Sequence, residues 1–195
     1  NADALVVNSG VTLDLNGRGQ AFGDLLSRGS LPGSGGVITN SATGDAVTFV
    51  STVGTARDFA GQLNGNLSFV KTGTAQLTLR DNNQLTGNVT VMGNILALVD
   101  QARFSGMGAG DTISIRNSTL RWDDTGTQAL ATRISSDVAI ELDGGTFEYR
   151  SRGSVATGIS LGNLSLVGGT STLLIASGTS GLGDGTLSLG GNFTR

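Results

Sequence analysis

The sequence predicts an all-β chain wound as a right-handed, single-stranded parallel β-helix (a β-solenoid) of about eight coils, at roughly 25 residues per coil. Three observations carry this. A ten-residue phrase recurs along residues 89–192 with a drifting offset. Within it, apolar and polar residues alternate. Between its two halves stands a residue suited to a sharp turn.

The phrase reads Val89-Thr90-Val91-Met92-Gly93-Asn94-Ile95-Leu96-Ala97-Leu98. It returns from Ile113, Ile140 and Leu164, and as a partial copy from Leu187, so the interval between copies is nearly but not strictly constant. Its first and third positions are Val89 and Val91, Ile113 and Ile115, Ile140 and Leu142, and Leu164 and Leu166. The residue between them is Thr90, Ser114, Glu141 or Ser165. Such period-two alternation buries one face of a strand and wets the other. The fifth position holds Gly93, Asn117, Gly144, Gly168 and Gly191. Gly and Asn are the residues that most readily accept a left-handed backbone, so a corner is expected there. The second strand then presents Leu96 and Leu98, Leu120 and Trp122, and Phe147 and Tyr149; the fourth copy has Ser171 in the place of Leu96. One such unit cannot bury its own apolar face. Stacked units can, because neighbouring strands lie about 4.8 Å apart, and loops absorb the drift in spacing.

Less regular strand-like runs precede the phrase over residues 1–65: Leu5-Val6-Val7, Val11 to Leu15, Val37-Ile38-Thr39 and Val47 to Val50. Asn16-Gly17 marks a tight turn, and Leu31 to Gly36 reads as a loop. Regular repeats occupy 66–195, and the whole is expected to form one solenoid domain, a segment of a longer repeat protein.

Asn66-Leu67-Ser68-Phe69-Val70-Lys71-Thr72-Gly73-Thr74-Ala75-Gln76-Leu77-Thr78-Leu79 resembles the core of the autotransporter-associated β-strand repeat. Asp81-Asn82-Asn83-Gln84-Leu85-Thr86-Gly87 and Val89-Thr90-Val91 fill the positions that follow. Ala75 stands where the repeat usually has Gly, and Gln84-Leu85 where it has Thr-Tyr. Val11 to Gly17 and Asp143 to Phe147 are similar to other strand-turn elements of such passengers. The resemblance implies a bacterial β-helix that is secreted or held on the outer surface, often as part of a long passenger or adhesin. It carries over no catalytic residues.

Composition narrows the function. The 195 residues include 32 Gly and one Pro, but no Cys and no His, which excludes disulfides and His- or Cys-based metal sites. The net charge is −3, with 12 basic residues scattered among 15 acidic ones, so a nucleic-acid face is not expected. No apolar run is long enough to span a bilayer as a helix. Neither end shows an amphipathic capping helix, so the expected partners are neighbouring coils, of the same chain or of another. Glycans or host surface proteins are further candidates.

Candidate chemistry is sparse, and neither catalysis nor a cofactor is expected. Asp123-Asp124 is the sharpest acidic pair, but adjacent residues of an extended chain point to opposite sides, and a solvated turn is expected. Glu141 and Asp143 with Arg116 and Arg121 form the one set that could line a polysaccharide-cleaving groove; cross-strand charge pairing is the simpler expectation. Asp184 in Gly181 to Leu187, and Gly106 to Asp111, lack the ordered pattern of a calcium nonapeptide. Gly33 to Gly36 lacks the Lys of a phosphate loop. The sequons at Asn66, Asn88, Asn117, Asn163 and Asn192 fall where turns want Asn, so glycosylation is not required. Trp122, Phe147 and Tyr149, with Arg150, would make a carbohydrate-stacking patch if they faced outward, but their register with Leu96 and Leu98 places the three aromatics in the core.

Overall fold

The computed structural model describes residues 3–153, 155–177 and 184–195. Short strands recur in every coil and pair with the equivalent strand one coil away, always in parallel. They stack into an eight-stranded sheet running from Gln20–Phe22 to Phe193–Thr194, a six-stranded sheet from Arg57–Phe59 to Thr172–Ser177, and a five-stranded sheet from Thr12–Asp14 to Arg103–Phe104. Two further pairs join Leu5–Val6 to Leu25–Leu26 and Thr157–Leu161 to Gly185–Leu189. The result is a β-solenoid of about seven turns with about 25 residues per turn. The length of a turn varies along the eight-stranded sheet: it is short where Val47 stacks against Leu67 and longer where Leu164 stacks against Phe193.

The recurring phrase stacks on itself. Val89, Ile113, Ile140 and Leu164 stand in one column, and Val91, Ile115, Leu142 and Leu166 in the next. All are buried except Leu166, which is half-buried near the last coil. On the six-stranded sheet Leu77, Leu96, Leu120 and Phe147 form a third column, and Leu79, Leu98, Trp122 and Tyr149 a fourth. Aromatic rings extend the packing: Phe49 stacks on Phe69 at 5.9 Å between centroids, and Trp122 meets Tyr149 edge-on at 6.3 Å. Trp122, Phe147 and Tyr149 are fully buried. Each such side chain contributes roughly 1.5–3 kcal/mol when it leaves water.

The corners need a left-handed residue in three of the five expected places. Gly93, Asn117 and Gly144 have φ of 84°, 46° and 64°. Gly93 also has no room for a side chain, since a Cβ there would lie 2.5 Å from the Gly73 carbonyl oxygen of the coil before. In the fourth copy the left-handed residue is Gly169 (φ 64°) and not Gly168. The cause is a bulge: Leu142 pairs with Leu166 but Asp143 with Gly168, which leaves Val167 unpaired. A second residue enters between Gly168 and Thr172, so that Leu173, instead of Ser171, stands opposite Phe147. The partial copy at Leu187 also belongs elsewhere. Leu187 and Leu189 pair with Ile159 and Leu161, and Phe193 is the residue that continues the Leu164 column. Gly191 therefore lies in the bend between two strands rather than at the corner inside the phrase, and its φ is not left-handed.

Loop residues are held through side chains. Asn16 and Gly17 are both left-handed, at φ 45° and 77°. Three of the five sequon asparagines are engaged through their side chains: Asn66 donates to the Gly44 carbonyl, Asn88 accepts from the Thr112 N–H, and Asn163 accepts from the Asn192 N–H. These bonds tie one coil to the next.

Candidate functional site

Since the inward columns are mostly apolar, the side chains open to a partner stand on the outward rows of the sheets and in the loops. The six-stranded sheet carries the richest polar surface. One outward row reads Asp58, Thr78, Ala97, Arg121 and Glu148, placed by the parallel register. Its charges are paired across coils. Arg80 binds Asp58 at 2.9 Å and Asp100 at 2.6 Å. Arg121 and Arg150 both bind Glu148, at 2.8 and 2.6 Å. Arg57 binds Asp24 at 2.9 Å through Nε.

These contacts keep the acids ionised. Burial alone would raise the Asp100 and Glu148 carboxyls. The Thr127 hydroxyl and N–H with Arg80, in the first case, and Arg121 with Arg150, in the second, outweigh it and hold both below their ordinary range. Asp24 is lowered likewise: burial opposes, and the Gly54 and Thr55 N–H groups with Arg57 prevail. A general acid needs the opposite shift, a carboxyl held protonated near neutrality.

A groove of about 400 Å³ opens at one end of this sheet. Leu26, Ser27, Arg28, Gly29 and Ser30 form one wall, and Ala56, Arg57, Asp58, Gln76 and Thr78 the floor. The wall is fixed by the Ser27 N–H donating to the Asp58 carbonyl and by the Ser27 hydroxyl accepting from the Ala60 N–H. The Gln76 amide links the floor to the row beyond, donating to the Thr78 hydroxyl at 3.0 Å and accepting from Arg121 at 3.2 Å.

The acidic pair Asp123-Asp124 is not a solvated turn. Both are buried, and Asp124 accepts from Arg133 Nε and Nη2 at 3.1 and 2.9 Å. Arg133 is itself buried and donates further to the carbonyls of Asp100, Ala102, Asp123 and Gln128. This guanidinium stitches the 124–134 loop onto the solenoid. Asp123 accepts from the Thr125 N–H and hydroxyl. Nor does the structure assemble Glu141, Asp143, Arg116 and Arg121 into a site. Glu141 accepts from the Ser114 hydroxyl on the eight-stranded sheet, whereas Arg121 lies on the six-stranded sheet with Glu148. Asp111 accepts from the Gly108 N–H within its own turn. Residues 181–183 of the Asp184 segment lie outside the described residues, and among those described no cluster of three or more acids has metal-binding geometry. No helix among them is long and apolar enough to cross a membrane.

Two features escaped the sequence reading. Lys71 is fully inside, in the column of Val91, and donates to the carbonyls of Ala75 and Gly93. Burial lowers its pKa to about 8. The alternation Leu67, Phe69, Lys71 already placed it there, had the inward parity been followed through. The groove had no such signal, because its wall and its floor come from different coils, far apart in sequence. Trp122 Nε1 is buried without a hydrogen-bond acceptor among the described residues.

No protein-family model matches the chain, and no match was found among curated proteins or solved structures.

Proposed function

We propose that this chain is a non-enzymatic structural or adhesive segment of a bacterial surface or secreted passenger, serving as a rigid stalk and binding scaffold. The observation that supports the reading most is the uninterrupted parallel stacking of coils around one apolar core. A solenoid of this kind extends in one dimension and offers long regular faces. The pairing of surface charges, across coils for Arg80–Asp58 and Arg121–Glu148 and within one strand for Arg150–Glu148, favours the same reading, since it engages acids that hydrolytic chemistry would need free. The resemblance of residues 66–91 to autotransporter repeats supports the outer-surface location.

One observation favours a second version, a self-stacking filament subunit. The last described coil leaves Leu173, Ile175, Leu189 and Phe193 exposed, although each continues a buried column. Further coils, of this chain or of a second copy, would cover them. Negative-stain electron microscopy of the purified chain over a concentration series separates the versions: short rods throughout support the stalk, and filaments that lengthen with concentration support the subunit. Globular particles would sink both. Protection of the chain from added protease on intact cells of its source would count against the surface location.

A further inference from the structure

We infer that the groove between the Leu26–Ser30 wall and the Arg57–Thr78 floor binds an anionic oligosaccharide through its carboxylates, a uronic-acid polymer being the fitting class. The inference rests on the binding-scaffold reading and supplies its ligand.

The groove carries more unused donors than unused acceptors. Arg28 makes no ion pair among the described residues, and Arg57 is bound to Asp24 through Nε alone, which leaves its terminal N–H groups available. Thr78, only 5% exposed on the floor, accepts from Gln76 at its hydroxyl, whose own proton has no acceptor among the described residues. The one carboxylate in the lining, Asp58, is engaged by Arg80. A partner must therefore bring acceptors and negative charge, and a guanidinium fork matches a carboxylate in both geometry and charge. The chain as a whole is acidic, so an anion would not be drawn to it without such a local feature.

The remaining chemistry favours a sugar acid over a peptide. A peptide docking here by strand addition needs free backbone groups on a sheet edge. The strand at the groove has none to spare on its inner side, where Arg57–Phe59 pairs with Leu77–Leu79, and on the outer side the Asp58 carbonyl is taken by Ser27. No large apolar side chain other than Leu26 lines the groove, so there is no pocket for a peptide's hydrophobic anchors. Hydroxyls and an amide line it instead: Ser27, Ser30, Thr78 and Gln76. Its volume, about 400 Å³, lies within the ~300–1,000 Å³ usual for small-ligand sites. Beyond the groove the outward row continues through Ala97 and Arg121 to Glu148, where the acid is already engaged by two arginines, so the unused donors are those of the groove itself.

The test is calorimetric titration of the chain with short oligogalacturonates, with maltooligosaccharides as the neutral control and oligoglutamate as the peptide control. Saturable binding of the uronate, absent with the neutral sugar, is expected. Arg28→Ala should weaken it about ten- to hundredfold, the size of one charged hydrogen bond. Arg18→Ala, an exposed arginine outside the groove, should leave it unchanged. No saturable binding, or equal losses in the two variants, would overturn the assignment; so would tighter binding of oligoglutamate or equal binding of the neutral sugar. Electron microscopy of the same samples keeps the two readings apart: intact rods that bind no uronate would leave the scaffold standing and remove its ligand.

Discussion

The central coils and the last coil follow the same pattern and end in different environments. Leu120, Phe147 and Leu173 occupy one column, yet the first two are fully buried and Leu173 is 38% exposed. Trp122 and Tyr149 are buried, while Ile175 above them is 47% exposed. The residues are of like kind and the strands pair in like register. What differs is the coil on the far side. In a solenoid the alternation selects which face turns inward, but burial is supplied by the neighbours.

The sharpest way to break this comparison is a charge placed at one apolar strand position of a central coil and at one of the last coil. Leu142→Asp puts a carboxylate where no partner reaches it and should cost more than about 4 kcal/mol, abolishing cooperative unfolding in urea. Leu189→Asp, at a position already 42% exposed, should cost less than about 1 kcal/mol. A stable, cooperative Leu142→Asp protein would show the assigned register to be wrong.

Next in size is the buried ion pair of the central coils. Arg133→Ala strands Asp124 inside the 124–134 loop and should lower unfolding free energy by about 3–5 kcal/mol. Limited proteolysis should then cut that loop first. Cavity formation follows: Tyr149→Ala should cost about 3–5 kcal/mol, and Ile175→Ala in the last coil clearly less, both read from urea midpoints. Equal effects would mean that another surface covers the last coil in solution.

The smallest expected effect is a pH slope. Lys71 has its folded pKa lowered to about 8, whereas the unfolded chain keeps the ordinary lysine value near 10.4. Between those values the unfolded state holds the extra proton, so stability should rise as pH climbs through that window. Below pH 8 both states are protonated and this contribution is flat. Lys71→Met should remove the rise, measured as urea midpoints at pH 7, 9 and 10; an unchanged slope would assign it to other groups.

Much of the core was legible because alternation is a local signal. Val89, Ile113, Ile140 and Leu164 could be aligned by eye, and the structure stacks them in that order. The fourth copy misled because it takes up two extra residues, Val167 at a bulge and one more before Thr172, and a bulge has no fixed sequence mark. The last copy misled because Leu187-Ser188-Leu189 has the right alternation for any of the faces. Asp124 looked like a turn residue because its partner, Arg133, lies across a loop whose path the local pattern does not contain.

Alternation, corner residues and their recurrence were thus determined by the sequence alone: an all-β solenoid with inward Val, Ile, Leu and aromatic columns. Tertiary structure alone decided which coil faces meet, where the register slips, that Arg133 lies inside, and that Ser27, Arg28, Arg57 and Thr78 share one groove. The physical reason is range. Strand parity and left-handed corners arise between near neighbours in the chain, whereas burial, ion pairing and groove shape depend on what the next coil brings alongside, a full turn of the solenoid away.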